Sequence, residues 1–196
     1  MKAYKYKSYK EYLNIQFDTN KPRIPWTVQK ESLRSQDIKN IKGIYKGRHC
    51  VCLGCRHDKE VNDFMDNGFE AKGIDILPTG HQIQGDINKL EDYFKDGSFD
   101  IAYSAHSLEH TNDPMHFLEM IRRICIEGLY LVIPIRDFPD VEEPIFLDVM
   151  HTQNNEDLKR ELKPGLTEFE IIDKWIRDDP NISPSGAEMA FAIKWI

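Results

Sequence analysis

Two histidines, His106 and His110, stand four residues apart in the segment "SAHSLEHTNDP", with Glu109 between them. On a helix that spacing sets both imidazoles on one face. An imidazole titrates close enough to neutrality to take a proton from a substrate hydroxyl. The string is not H-E-x-x-H, so it does not read as a zinc protease. Upstream, two carboxylates close short apolar runs: Asp75 in "AKGIDI" and Asp86 in "IQGDI". A carboxylate accepts two hydrogen bonds at once and therefore suits a vicinal diol. A third group, Cys50, Cys52, Cys55 and His57, has ligand types for zinc but no second cysteine pair. Cys50 and Cys52 fall on one face of a strand, where small apolar side chains pack. The expectation is core, with no metal site.

These groups act together only if the chain gathers them at one edge. From His49 onward strand and helix patterns alternate, as in βαβ units around a parallel sheet. "HCVCL" is a first strand that stops at Gly54. A helix follows over "DKEVNDFMDNG", with Val61, Phe64 and Met65 at helical spacing and Gly68 as its stop. "FEAKGIDI" and "HQIQGD" read as second and third strands, "INKLEDYF" as a short helix, and "FDIAYS" as a fourth strand. Asp113 then caps a helix with Pro114 in its first turn. Phe117, Leu118, Ile121, Ile124 and Cys125 form its apolar stripe, and Gly128 ends it. "LYLVIPI" is apolar throughout, so it is a central fifth strand. A Pro- and acid-rich connection with Asp137, Asp140, Glu142, Glu143 and Asp148 comes next, then a helix over "TQNNEDLKREL". "EFEIIDKWI" and "EMAFAIKWI" close the sheet as an antiparallel pair. Asp75 and Asp86 thus end strands, where open α/β sheets bind ligands.

The chain has 196 residues, 40% hydrophobic and 30% charged, which suits one soluble globular domain with a well-buried core. Residues 1–45 stand apart from the alternation and read as a helical cap over the ligand edge, with 46–196 as the α/β domain. Lys21, Arg23 and Trp26 in that cap suit a lid over an anionic substrate or a solvated loop. No apolar run approaches the ~18 residues of a membrane span, and the N-terminus has no secretory apolar region. Four cysteines without a disulfide pattern point to the cytoplasm. The net charge of −7 argues against broad nucleic-acid binding, although the first ten residues carry four lysines among three tyrosines.

With these residues in view, the chain resembles the class I S-adenosylmethionine-dependent methyltransferases, specifically the methyltransferase-11-like group. "FDIAYSAHSLEH-NDP" is the most specific piece, matching the family's fourth strand and the crossing after it. The resemblance implies a doubly wound α/β fold with a mostly parallel, Rossmann-like seven-stranded sheet. It implies S-adenosylmethionine as cofactor, with Asp75 and Ile76 at the ribose and Asp86 and Ile87 at the adenine. Ser104 and Ala105 match positions at the methionine moiety. His106 would be the base and His110 the family's "LEH" histidine. One departure is marked: the family's acid-x-Gly-x-Gly-x-Gly loop reads "CLGCRHD" here, so only Gly54 survives. Cys52 takes the acid's place, which removes a partner for the cofactor's ammonium. The expected activity is methyl transfer to a small, medium-sized or saccharide-type acceptor at oxygen or nitrogen. A scaffold that has lost the cofactor and an RNA-modifying enzyme are the alternatives.

Overall fold

The computed structural model describes residues 7–20, 31–55, 58–77, 80, 82–134, 168–178 and 187–196. Alternating apolar segments separated by helices build one seven-stranded sheet of order β3-β2-β1-β4-β5-β7-β6. Its strands are β1 (His49–Leu53), β2 (Glu70–Asp75), β3 (Ile83–Gln84), β4 (Phe99–Ala105), β5 (Cys125–Pro134), β6 (Phe169–Asp178) and β7 (Ala187–Trp195). The first five in sequence run parallel, and β7 runs antiparallel to both β5 and β6. The sheet is thus the mostly parallel, doubly wound one that the sequence implied. The helix expected over residues 152–162, the acidic connection before it and the lid residues Lys21, Arg23 and Trp26 lie outside the described residues.

The helices are α1 (Tyr9–Asn20), α2 (Glu31–Ile44), α3 (Asp58–Asp66) and α4 (Pro114–Ile124). One sheet face carries Val51, Leu53, Ala102, Leu129 and Leu131 against Phe117, Leu118 and Ile121 of α4. The other carries Cys50, Cys52, Ile101 and Tyr103 against Ile38 and Ile41 of α2 and Val61 and Phe64 of α3. Adjacent residues of β1 therefore serve opposite layers, as strand geometry requires. Met65, expected on the apolar stripe of α3, is instead 51% exposed.

α4 begins as expected: the Asp113 side chain accepts from His116 N at 3.0 Å, and Pro114 occupies the first turn. Its end differs. The helix stops at Ile124 and β5 starts at Cys125 with no loop, so Gly128 lies within the strand. α2 is fastened to its face by a buried carboxylate. Asp37 accepts from Tyr103 Oη at 2.9 Å and Tyr130 Oη at 3.0 Å.

Candidate active site

Register brings the strand tips abreast. Leu53 pairs with both Ile74 and Ser104, and Asp75 pairs with Gln84. Gly54, Asp75, Ser104 and Ala105 therefore share the carboxyl-terminal edge of the sheet, with Asp86 two residues beyond β3. Gly54 has φ of +70° and donates its N–H to Ile74 O at 2.8 Å. A side chain there would meet Ser107, whose Oγ lies 2.3 Å from the position of a Cβ. Ser107 Oγ in turn donates to Leu53 O at 2.8 Å, so the crossing after β4 is latched to the tip of β1.

Asp75 is 5% exposed at the end of β2, and its Oδ1 accepts from Leu77 N at 2.7 Å. Ile76 beside it is half-buried. Asp86 caps a short 3-10 segment, Ile87–Asp92, by accepting from Asn88 N at 2.9 Å. The Asn88 amide donates to the same oxygen at 2.8 Å. From α1, Tyr9 Oη donates to Asp86 at 2.5 Å and Tyr12 Oη at 3.5 Å. Asp86 is thereby the point where α1 meets the edge, and Ile87 is buried below it. The Ser104 hydroxyl is fully buried and has no hydrogen-bond partner among the described residues.

His106 lies just past β4 with φ of 55°, a left-handed conformation uncommon for a residue other than glycine. Its N–H donates to Val132 O at 3.0 Å, which holds the strained turn against β5. The Nε2 atom is 2.6 Å from Glu188 Oε1, a carboxylate only 3% exposed at the start of β7, whereas the imidazole is 24% exposed. A carboxylate accepts, so Nε2 donates in the contact with Glu188. His110 sits in a single 3-10 turn, Leu108–His110, half-buried, with its N–H bonded to Ser107 O at 3.1 Å. The two histidines do not share a helical face, because the turn at His106 precedes the only helical residues there.

Two groups escaped the sequence reading. Glu188 is 82 residues from His106 in the chain, and only the antiparallel return of β7 joins them. Glu60, in the first turn of α3, reads as a solvated acid but is 8% exposed. Arg34 of α2 approaches it at 3.7 Å and donates to Asp63 at 2.6 Å. Burial lifts the Glu60 carboxyl to about 7 against the pull of Arg34, with Asp75, Asp37 and Asp63 pushing the same way as burial. The thiols of Cys52 and Cys55 are driven well above the ordinary range, chiefly by burial, and Glu60 adds to this at both. They are neutral packing groups. His57 lies outside the described residues, and among those described no three metal-ligating side chains converge.

Residues 51–133 match the model of the methyltransferase domain family. No curated relative matches the chain in sequence. Among solved structures, it resembles the 1,6-didemethyltoxoflavin-N1-methyltransferase of Burkholderia thailandensis, solved with 1,6-didemethyltoxoflavin and S-adenosylhomocysteine bound. That match has a TM-score of 0.68 and 13% identity over 95% of this chain and 88% of the other. It also resembles the Haloferax volcanii complex between the Trm112 methyltransferase activator and a methyltransferase, at TM-score 0.63 and 14% identity over 95% and 98%. An S-adenosylmethionine-dependent methyltransferase from Mesorhizobium loti aligns at TM-score 0.56 and 16% identity over 81% and 96%. At such identities the likeness establishes the fold. The family match covers less than half of the chain, and the solved structures share its fold. The one from Burkholderia thailandensis holds S-adenosylhomocysteine.

The edge fits such a ligand. The Ser104 hydroxyl is a buried polar group without a partner among the described residues, and Asp75 places a carboxylate at the tip of β2. A nucleoside with a vicinal diol supplies the complementary donors.

Proposed function

We propose that this protein binds S-adenosylmethionine across the tips of β1, β2 and β4 and transfers its methyl group to a small or medium-sized acceptor at oxygen or nitrogen. The observation that carries the reading is Asp75, buried at the end of the strand beside β1 in a sheet of order β3-β2-β1-β4-β5-β7-β6. The bound cofactor supplies an already activated methyl carbon. The chain's part is to align the acceptor and exclude water. Gly54, Asp75, Ile76, Asp86, Ile87, Ser104 and Ala105 hold the cofactor in this reading, with Asp75 accepting from the ribose hydroxyls. His106 takes the acceptor's proton while Glu188 holds the ring, and His110 keeps the crossing in shape. Of the proposed cap over residues 1–45, α1 meets the edge through the bonds from Tyr9 and Tyr12 to Asp86, whereas α2 belongs to the layer on the sheet face. Saccharide-type acceptors fall within the range. The four described cysteines, all buried free thiols, agree with a cytoplasmic setting. No helix among the described residues is long and apolar enough to cross a membrane.

Calorimetric titration with S-adenosylhomocysteine tests the binding half. Micromolar affinity is expected, weakened about tenfold or more in Asp75→Ala, because two charge-assisted hydrogen bonds are lost. Equal affinity in the variant would remove Asp75 from the site. A second reading, a non-catalytic scaffold, draws on Asp86 being engaged by Tyr9, Tyr12 and Asn88, and on Ser107 covering Gly54. It predicts no heat at millimolar ligand.

The acceptor half is tested with His106→Asn. We expect unchanged S-adenosylhomocysteine affinity and a loss of about a hundredfold or more in methyl transfer to hydroxyl acceptors, the range for a general base. Equal rates in variant and wild type would show that His106 moves no proton.

A further inference from the structure

We infer that α1 latches the cofactor edge shut: the Tyr9 hydroxyl holds the Asp86 oxygen that the adenine amino group would use, and α1 must release it before the nucleoside can enter. The inference rests on the cofactor reading above. The two oxygens of Asp86 do different work. Oδ1 is built into the fold, accepting from Asn88 N at 2.9 Å and from the Asn88 amide at 2.8 Å, with Tyr12 Oη at 3.5 Å. Asn88 is itself tied to the crossing after β4, since its Oδ1 accepts from Asn112 N at 3.0 Å. Oδ2 has one partner among the described residues, Tyr9 Oη at 2.5 Å.

With Tyr9 in place that oxygen is closed to a ligand. Asp86 is 5% exposed and Tyr12 2%, whereas Tyr9 is 41% exposed. An approaching nucleoside therefore meets the Tyr9 ring before it meets the carboxylate. Burial, then the hydrogen bond to Asp86 and its charge, push the Tyr9 phenol well above its ordinary value. It keeps its hydrogen and goes on donating through the neutral range. An exocyclic amino group is a donor too, so the two compete for one acceptor.

The neighbours of Tyr9 keep the latch closed. Lys89 Nζ, from the 3-10 segment that Asp86 caps, lies 4.6 Å from the centre of the Tyr9 ring. The Tyr9 and Tyr12 rings stack with centroids 5.8 Å apart. Among the described side chains of α1, Tyr12 is the buried one, so Tyr9 closes the contact from its open side. Giving up the Tyr9 bond is a cost that every binding event meets. It lowers the apparent affinity in proportion to the fraction of molecules that are open.

The test is calorimetric titration of the full chain and its Tyr9→Phe variant with S-adenosylhomocysteine, paired with amide hydrogen exchange across α1. Phe keeps the exposed, stacked ring and removes the hydroxyl alone, so the variant should fold as wild type does. Tyr9→Phe is expected to bind about tenfold or more tightly, because a hydrogen bond to a charged group no longer has to be broken. In wild type the ligand should speed exchange in α1 as the helix is released. In Tyr9→Phe that exchange should be fast before ligand is added and change little afterwards. Heat from Tyr9→Phe where wild type gives none at millimolar ligand would equally support the latch. Equal affinities, with α1 exchange unmoved by ligand, would overturn the inference and leave the cofactor reading intact. Weaker binding by Tyr9→Phe, or slower α1 exchange on binding, would make Tyr9 part of the bound site and overturn it too. Absence of binding by both proteins would overturn the inference and the cofactor reading together.

Discussion

Gly128→Ala is expected to cost about 4 kcal/mol or more, a large part of the 5–15 kcal/mol that holds a domain of this kind together. A Cβ at this position would lie 2.1 Å from the carbonyl oxygen of Ile193 and 2.8 Å from the ring of Tyr45. Neither neighbour can yield. The Ile193 carbonyl is backbone of β7, which is flanked by β5 and β6 in the sheet, and it accepts from Tyr45 Oη at 2.9 Å. The same hydroxyl lies 2.9 Å from Leu129 O, so its one hydrogen is shared between two buried carbonyls, and pushing Tyr45 aside takes that donor from both. The β5–β7 pairing must open instead. Urea unfolding followed by far-UV circular dichroism measures the loss. A midpoint equal to wild type would mean that the two strands do not approach as closely as described.

Gly128 also marks where sequence patterning stops being informative. A glycine after an apolar helical stripe resembles a helix stop, and nothing local distinguishes that role from close packing between strands. The contact that demands it comes from Ile193 and Tyr45, far away in the chain. Elements with their own periodicity were legible: β1 and β2 lie within the segments the alternation marked, β4, β6 and β7 overrun theirs by one or two residues, and Asp113 caps α4 as its spacing predicted.

At the site, the same division holds. Asp75 was visible because a strand end plus a carboxylate is a local pattern. His106 was visible as a residue type, but its partner Glu188 depends on a long-range antiparallel return, and its φ of 55° is a product of the crossing. Glu60 was hidden for a different reason. An acid in a helix first turn is favoured by the helix dipole and ordinarily faces water. Here α2 lays Arg34 over it and removes the water, and no pattern within α3 announces that.

That burial has a measurable signature without any ligand. The Glu60 carboxyl ionises near the ordinary 4.5 in the unfolded chain and at about 7 in the folded one. Between those values the folded state holds more protons, so stability contributed by the protonated form is full below 4.5 and is lost as pH rises toward 7. At about 1.4 kcal/mol per pKa unit, the difference is about 3 kcal/mol. Gln is the neutral isostere, so Glu60→Gln should match wild type at pH 4.5 and exceed its stability by up to about 3 kcal/mol at pH 8. Thermal or urea unfolding at the two pH values reads this directly. An advantage of equal size at both would show that the gain comes from packing and not from charge. A gain confined to high pH would mean that the folded chain carries a destabilising anion at the α2–α3 seam above neutrality, held there beside Arg34.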